Sequence, residues 1–290
     1  MVNYTFMNQI NSWVEINSAN LKHNISQFRK VIGEAVKIAA VIKSNAYGHG
    51  IVETAKATES KVDFFAVVSL AEAIILRRKK IKKPILVLSF YFNELPTAIK
   101  QNISLVAYDL KQIKRINAAA KKLNKKANIH LKIETGNSRL GVEKNKAVEL
   151  VQQINKLKNI KLEGIFSHFA ASEENQKFTE LQIERFDETV EKIKALGIKK
   201  PLLHFASSAA AMMNPRARYD LVRTGISFYG LWPSKLAKRL TLKLYPHFKL
   251  KPALTWKTKI ISVKNIKAGE SVGYGCTYKL DKKSKIAVCQ

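Results

Sequence analysis

Acidic residues, cysteine and long apolar runs are all scarce in this 290-residue chain, and each shortage excludes something. Two cysteines, Cys276 and Cys289, cannot build a disulfide framework or a cysteine-rich metal site, as suits a reducing compartment. No apolar stretch approaches the 18 residues of a membrane-spanning helix, and Met1–Phe6 has neither the basic nor the apolar region of a secretory signal, so a cytoplasmic protein is expected. Only 22 Asp and Glu stand against 51 Lys and Arg, giving a formal net charge of +29. That surplus first suggests a nucleic acid or an anionic membrane. Just ten of those cations are arginine, however, the residue suited to bidentate phosphate and base recognition, and the lysines spread from Lys22 to Lys285. A solvated lysine-rich surface is the better reading, with no nucleic acid, membrane or metal as partner. With 46% hydrophobic residues the chain can bury a large core.

What is present is a repeated alternation. Eight apolar runs of strand length occur at residues 35–43, 64–70, 84–90, 103–109, 128–135, 160–168, 202–208 and 221–230. Most are apolar almost continuously, as parallel strands buried on both faces should be. Helical periodicity marks residues 71–80, 110–123, 144–156 and 176–196 between them. Eight such units fit an α/β fold of the (β/α)8 TIM-barrel class, and no G-x-G-x-x-G opens the first unit. Past Tyr229, Pro233, Pro246 and Pro252 punctuate a lysine-rich stretch, and runs 253–263 and 285–288 read as strands. The chain therefore divides into a barrel at 1–240 and the beginning of an all-β domain at 241–290.

Polar residues at the C-terminal ends of barrel strands are the candidates for chemistry. Lys43 closes the first strand; a desolvated amine there could act as a nucleophile, or the charge could simply reach solvent. Arg223 reads equally as a strand-end ion-pair partner, His168 as a hydrogen-bonded structural residue, Lys132 as a strand lysine, Ser208 as an N-cap and Tyr274 as a turn residue.

The segment Lys43-Ser44-Asn45-Ala46-Tyr47-Gly48-His49-Gly50 closely resembles the pyridoxal-phosphate lysine motif of alanine racemases. Six further motifs resemble that family in order: Trp13–Ile16 with Leu21–Asn24, His130–Val142, Phe166–Phe169, His204–Ser208, Val222–Gly230 and Gly269–Tyr278. The resemblance implies a pyridoxal 5'-phosphate enzyme interconverting L- and D-alanine through an aldimine, with Lys43 and Tyr274 as the two bases and D-alanine supplied for peptidoglycan. It implies cofactor contacts from Lys43, Tyr47, His168, Ser208, Arg223, Gly225 and Ile226, with Arg223 facing the ring nitrogen. It further implies substrate binding by Arg139, a carbamylated Lys132, and a homodimer in which Tyr274 comes from the neighbouring subunit.

Departures from the family pattern are Glu134 for an aspartate, Asn137 for a methionine and Ser207 for an asparagine. The chain also stops at Gln290 inside an expected strand. Unpartnered strands expose backbone donors and acceptors. On that ground a C-terminally truncated family member is expected, dimeric if the β domain is completed, with a catalytically impaired cofactor-binding remnant as the alternative.

Overall fold

A computed structural model describes residues 11–89, 91 and 93–290. The described chain forms two compact units, one of residues 18–253 and a smaller one that joins residues 11–17 to 254–290.

In chain order, strand β1 (Ser12–Ile16) belongs to the smaller unit, and helix α1 (Ser18–Ile32) opens the larger one. There follow β2 (Lys37–Val41), α2 (Ile51–Thr58), β3 (Phe64–Val67), α3 (Leu70–Arg78), β4 (Ile85–Val87) and α4 (Leu95–Lys100). Next come β5 (Ser104–Ala107), α5 (Leu110–Lys122), β6 (Ala127–Glu134), the two-residue β7 (Val142–Glu143), α6 (Lys144–Asn155) and β8 (Ile160–Phe166). The larger unit ends with α7 (Gln176–Lys194), β9 (Leu202–His204), α8 (Ser208–Met213), β10 (Leu221–Thr224) and α9 (Lys235–Leu244).

Eight of these strands run in the order β10-β2-β3-β4-β5-β6-β8-β9, every pairing parallel, with β7 beside the end of β6. The remaining seam between β9 and β10 is stitched by Asp220 N–H to Leu203 O at 2.9 Å and Arg223 N–H to Ala206 O at 3.0 Å. The result is a nearly closed TIM-like barrel with helices outside, as the run of doubly apolar strands requires. Ala39, Val41, Phe64, Ala66 and Leu221 pack together among the strands, small residues leaving room for large ones.

Strand-to-helix turns carry their own signals. Ser69 and Glu72 form a reciprocal capping box on α3, Asp109 accepts from Gln112 N–H at 2.7 Å, and Asn175 accepts from Phe178 N–H at 2.9 Å. Ser234 caps α9 through Ala237 N–H at 3.0 Å. That helix falls in the proline-punctuated stretch, where the lysines mask the apolar spacing of Leu236, Leu240 and Leu244.

The smaller unit is antiparallel. β1 pairs with β11 (Leu254–Thr258), β12 (Ile260–Ile266) pairs with β15 (Ser284–Cys289), and β13 (Ser271–Val272) pairs with β14 (Tyr278–Lys279). The run expected at residues 253–263 is thus two strands broken at Lys259. The final strand, expected to lack neighbours, instead returns along β12 from Ser284 opposite Ile266 to Cys289 opposite Ile260. Among the described residues no helix is long and apolar enough to cross a membrane.

Candidate active site

A cavity of about 610 Å³ opens at the C-terminal ends of the barrel strands. Its wall includes Lys43, Tyr47, Lys132, Arg139, His168, Ser208, Arg223, Gly225 and Ile226. Nine of the ten residues singled out from the sequence therefore meet in one place. The tenth, Tyr274, lies in the smaller unit and is fully exposed.

Lys43 sits two residues past the end of β2, where the chain enters a left-handed turn. Ser44, Asn45, Ala46 and Tyr47 all have φ of 53° to 55°, a conformation costing roughly 1–2 kcal/mol per non-glycine residue. Specific bonds offset that cost. Ser44 N–H donates to Glu72 Oε1 at 2.6 Å, Asn45 Oδ1 accepts from Ile51 N–H at 2.9 Å, and Asn45 O accepts from Gly48 and Gly50 N–H, both at 3.1 Å. The second oxygen of Glu72 takes Val68 N–H at 2.9 Å and Ser69 N–H at 3.2 Å. One carboxylate thus ties the lysine turn to the capped start of α3. Sequence reading missed Glu72, although the S-x-x-E pattern at 69–72 was there to be seen. Behind the turn, the Tyr47 and Tyr229 ring centroids lie 5.2 Å apart, and Tyr229 donates its hydroxyl to Val41 O at 2.9 Å.

Ser208 does not act as the N-cap of α8; Ser207 occupies that position, and Ser208 turns its hydroxyl across to the end of β10. Ser208 Oγ accepts from Gly225 N–H at 2.9 Å and from Ser227 N–H at 3.4 Å. The Tyr47 hydroxyl lies 3.7 Å from where a Cβ on Gly225 would stand. Two buried hydroxyls beside this cradle, those of Thr224 and Ser227, have no hydrogen-bond partner among the described residues. The hydroxyls of Tyr47 and Ser208 beside the open backbone at Gly225 and Ile226, all on the cavity wall, suit an anion such as a phosphate.

Arg223 is buried on β10, its guanidinium carbon 5.2 Å from the Phe166 ring centroid. It donates to Ser167 O at 2.8 Å, Phe205 O at 3.0 Å and His204 Nδ1 at 2.7 Å, with His168 Nδ1 at 3.3 Å. Burial, then the charges of Arg223, Lys132, Arg139 and Lys43, push the His168 imidazole down to about 3, so it is neutral at neutral pH. Burial, then Arg139 and Arg223, bring the Lys132 amine down to about 8. Its Nζ stands 5.9 Å from the centroid of the same Phe166 ring. Arg139 itself is exposed, on a loop organised by Glu134. Although burial opposes it, the backbone N–H groups of Gly136, Asn137 and Arg139, at 2.5, 2.5 and 3.3 Å, hold the Glu134 carboxyl below its ordinary range. Glutamate for the family's aspartate therefore still gathers this loop.

Lys43, Lys132, Arg139 and Arg223 place four cationic side chains around one cavity, an arrangement suited to anionic groups such as phosphate and carboxylate. The family models agree. That for the N-terminal domain of alanine racemases matches residues 16–233, and that for the C-terminal domain matches residues 253–290. The chain belongs to the alanine racemase family.

Alanine racemase 2 of Caldanaerobacter subterraneus subsp. tengcongensis is 37% identical over 278 residues, covering 94% of this chain and 70% of that protein. The alanine racemase of Treponema denticola is 38% identical over 274 residues, covering 92% and 70%. Among solved structures, the alanine racemase of Clostridium difficile 630 superposes with a TM-score of 0.87 at 37% identity, covering 96% of this chain and 72% of that one. By this resemblance the chain is an isomerase. Because the alanine racemase C-terminal model matches residues 253–290 and the last strand is paired, the expectation of a truncated member is not supported. The impaired-remnant reading rested on the same ground and gains nothing over the racemase reading.

Proposed function

We propose that this protein interconverts L- and D-alanine with pyridoxal 5'-phosphate held in the barrel cavity. The observation that carries this is the convergence of Lys43, Arg223 and the Ser208–Gly225–Ile226 cradle on one wall system. The Tyr47 and Ser208 hydroxyls and the backbone at Gly225, where no side chain fills the wall, fit a phosphate dianion, and an amine and an arginine lie on the same cavity. When bound, the cofactor supplies an electrophilic carbonyl carbon and a conjugated ring that accepts electron density from the substrate Cα.

The chain's own residues do the rest. Lys43 would hold the cofactor through its amine, and the same amine, free on the cavity wall, would take or return a proton at one face of the substrate Cα. Arg223, with donors only, would meet the cofactor's ring nitrogen as a donor that does not give up its proton, which would restrain the ring's electron demand and disfavour transamination. Tyr47, Ser208, Gly225 and Ile226 hold the phosphate, and neutral His168 supports Arg223. Arg139 faces the substrate carboxylate with a planar fork. An amine at about 8 is partly unprotonated near neutral pH, so Lys132 is suited to take up carbon dioxide as a carbamate whose charge holds Arg139. Tyr274, presented in solvent on its 3-10 turn, supplies the proton at the opposite face from a second copy of the chain, which makes the working unit a homodimer. Such an enzyme would work in the cytoplasm and provide D-alanine for cell-wall peptidoglycan.

Racemisation of L-alanine by the purified chain with added pyridoxal phosphate, followed by D-alanine release, tests the reading. Lys43→Ala is expected to lose borohydride-trappable cofactor and to lower turnover by at least about 10³. Trapping of cofactor on the Lys43→Ala protein at the wild-type level, or a wild-type chain that binds cofactor without racemising alanine, would overturn it.

A further inference from the structure

Arg223 is a buried cation that, among the described residues, touches no carboxylate. A buried charge without a partner is costly, and the interior supplies one at a distance through two histidines. An arginine can only donate, so His204 Nδ1, 2.7 Å from its guanidinium, must be unprotonated. The neutral His204 ring then carries its proton on Nε2, which lies 2.8 Å from His130 Nδ1. That nitrogen must accept in turn, which leaves the His130 proton on Nε2, 3.1 Å from Glu163 Oε2. Ser104 donates its hydroxyl to the same carboxylate oxygen. Every proton in the row is thus assigned, and every bond points from Arg223 towards Glu163.

The backbone is shaped for this row. Between the pairs Ile129–Leu162 and His130–Gly164 the register of β6 and β8 slips, and the extra residue on β8 is Glu163. Such a bulge re-aims a side chain that regular pleating would send elsewhere. The next residue is glycine because a Cβ on Gly164 would stand 2.3 Å from His130 Nδ1. Phe166 stacks on His204 at 4.6 Å and 5°, and Phe64 meets His130 edge-on at 6.4 Å, so neither ring is free to turn. Glu163 is partly exposed, lies outside the lining of the active-site cavity, and has Lys161 at 3.8 Å as its other neighbour.

We propose that Glu163 is a positioning residue for the proposed reaction, fixing His130 and His204 as Nε2–H tautomers and supplying the remote negative charge that holds Arg223 in place as a cationic donor. Its importance for turnover rests on the proposed function; the proton arrangement does not.

The experiment uses the full chain with 15N-labelled histidine, first without cofactor. Multiple-bond 15N–1H spectra, assigned with His130→Gln and His204→Gln proteins, are expected to show each of these two imidazoles protonated at Nε2 alone. Glu163→Gln keeps an acceptor and removes the charge; Glu163→Leu removes both. The leucine variant is expected to lose the single-tautomer signature of His130, and the glutamine variant to keep it. Both are expected to bind pyridoxal phosphate roughly tenfold more weakly by fluorescence titration, and to lower kcat more than they raise KM, as for outer partners that orient a metal-bound histidine. A protonated ring or an Nδ1–H tautomer at either histidine in the wild type overturns the arrangement. Wild-type cofactor affinity in the near-isosteric Glu163→Gln protein overturns the positioning role. A wild type that fails to racemise alanine would sink the function alone, since the spectra and the cofactor affinities still decide this proposal.

Discussion

The larger and smaller units solve the problem of burying strands in opposite ways. In the barrel, β2, β3, β4 and β5 bury nearly every residue, because each strand has neighbours on both sides and helices behind it. In the smaller unit the strands come in isolated antiparallel pairs, and Trp256, Ile260, Ile261, Val263 and Tyr278 are more than half exposed. Isolated two-stranded pairings are marginal by themselves, and local opening follows the density of buried apolar contact. The lesson concerns where chemistry is anchored. Lys132, Arg223 and the Ser208 cradle stand on the rigid region, whereas Tyr274 stands on the region with little buried surface of its own.

The largest test of that contrast is truncation of an aromatic in each region. Phe65 on β3 is fully buried, and Phe65→Ala is expected to cost about 3–5 kcal/mol in urea unfolding. Trp256 is 75% exposed, and Trp256→Ala is expected to fall within about 1 kcal/mol of wild type. Equal losses at the two positions would break the comparison. Hydrogen exchange sharpens it, with amides of β3 and β5 expected to exchange far more slowly than those of β12 and β15.

A smaller separation is expected from two glycines with similar backbone. Gly230 has φ of +92°, and a Cβ there would meet Lys251 O at 2.0 Å; Gly269 has φ of +82° with nothing within 4 Å. Gly269→Ala carries only the left-handed penalty, about 1–2 kcal/mol. Gly230→Ala adds a backbone collision, about 1–3 kcal/mol more. Matching melting temperatures for the two variants would show that the larger unit yields at Gly230 as easily as the smaller one does at Gly269.

How much was legible in the sequence follows the same division. Barrel strands announce themselves because burial on both faces leaves unbroken apolar runs such as Ile85–Val87 and Leu105–Ala107. In the smaller unit, lysines alternate with exposed apolar residues, so the break at Lys259 and the pairing of β1 with β11 left no local mark. Helix α9 was hidden by proline and lysine despite its Ser234 cap. At the site, the strand-end residues were readable through their motifs. Glu72 was readable only as the capping residue of α3 in its S-x-x-E pattern and Glu163 not at all, because the bond from Ser44 N–H to Glu72 and the register slip at Glu163 are not written in residue type.

The smallest effect concerns a charge inside the rigid region. Lys132 has its amine lowered from 10.5 to about 8, chiefly by burial, then by Arg139 and Arg223. Between those two values the unfolded chain binds a proton that the folded chain has released, so folding stability gains from this residue as pH rises from about 8 towards 10.5. Below about 8 both states hold the proton and the folded state bears the full penalty. In buffer purged of carbon dioxide, which keeps the amine free, wild type is therefore expected to gain stability relative to Lys132→Met as pH rises from 7.5 to 10 in urea titrations. Parallel stability curves for the two proteins across that window would mean that the amine keeps its water, and that the cavity wall is less dry than the rest of the barrel.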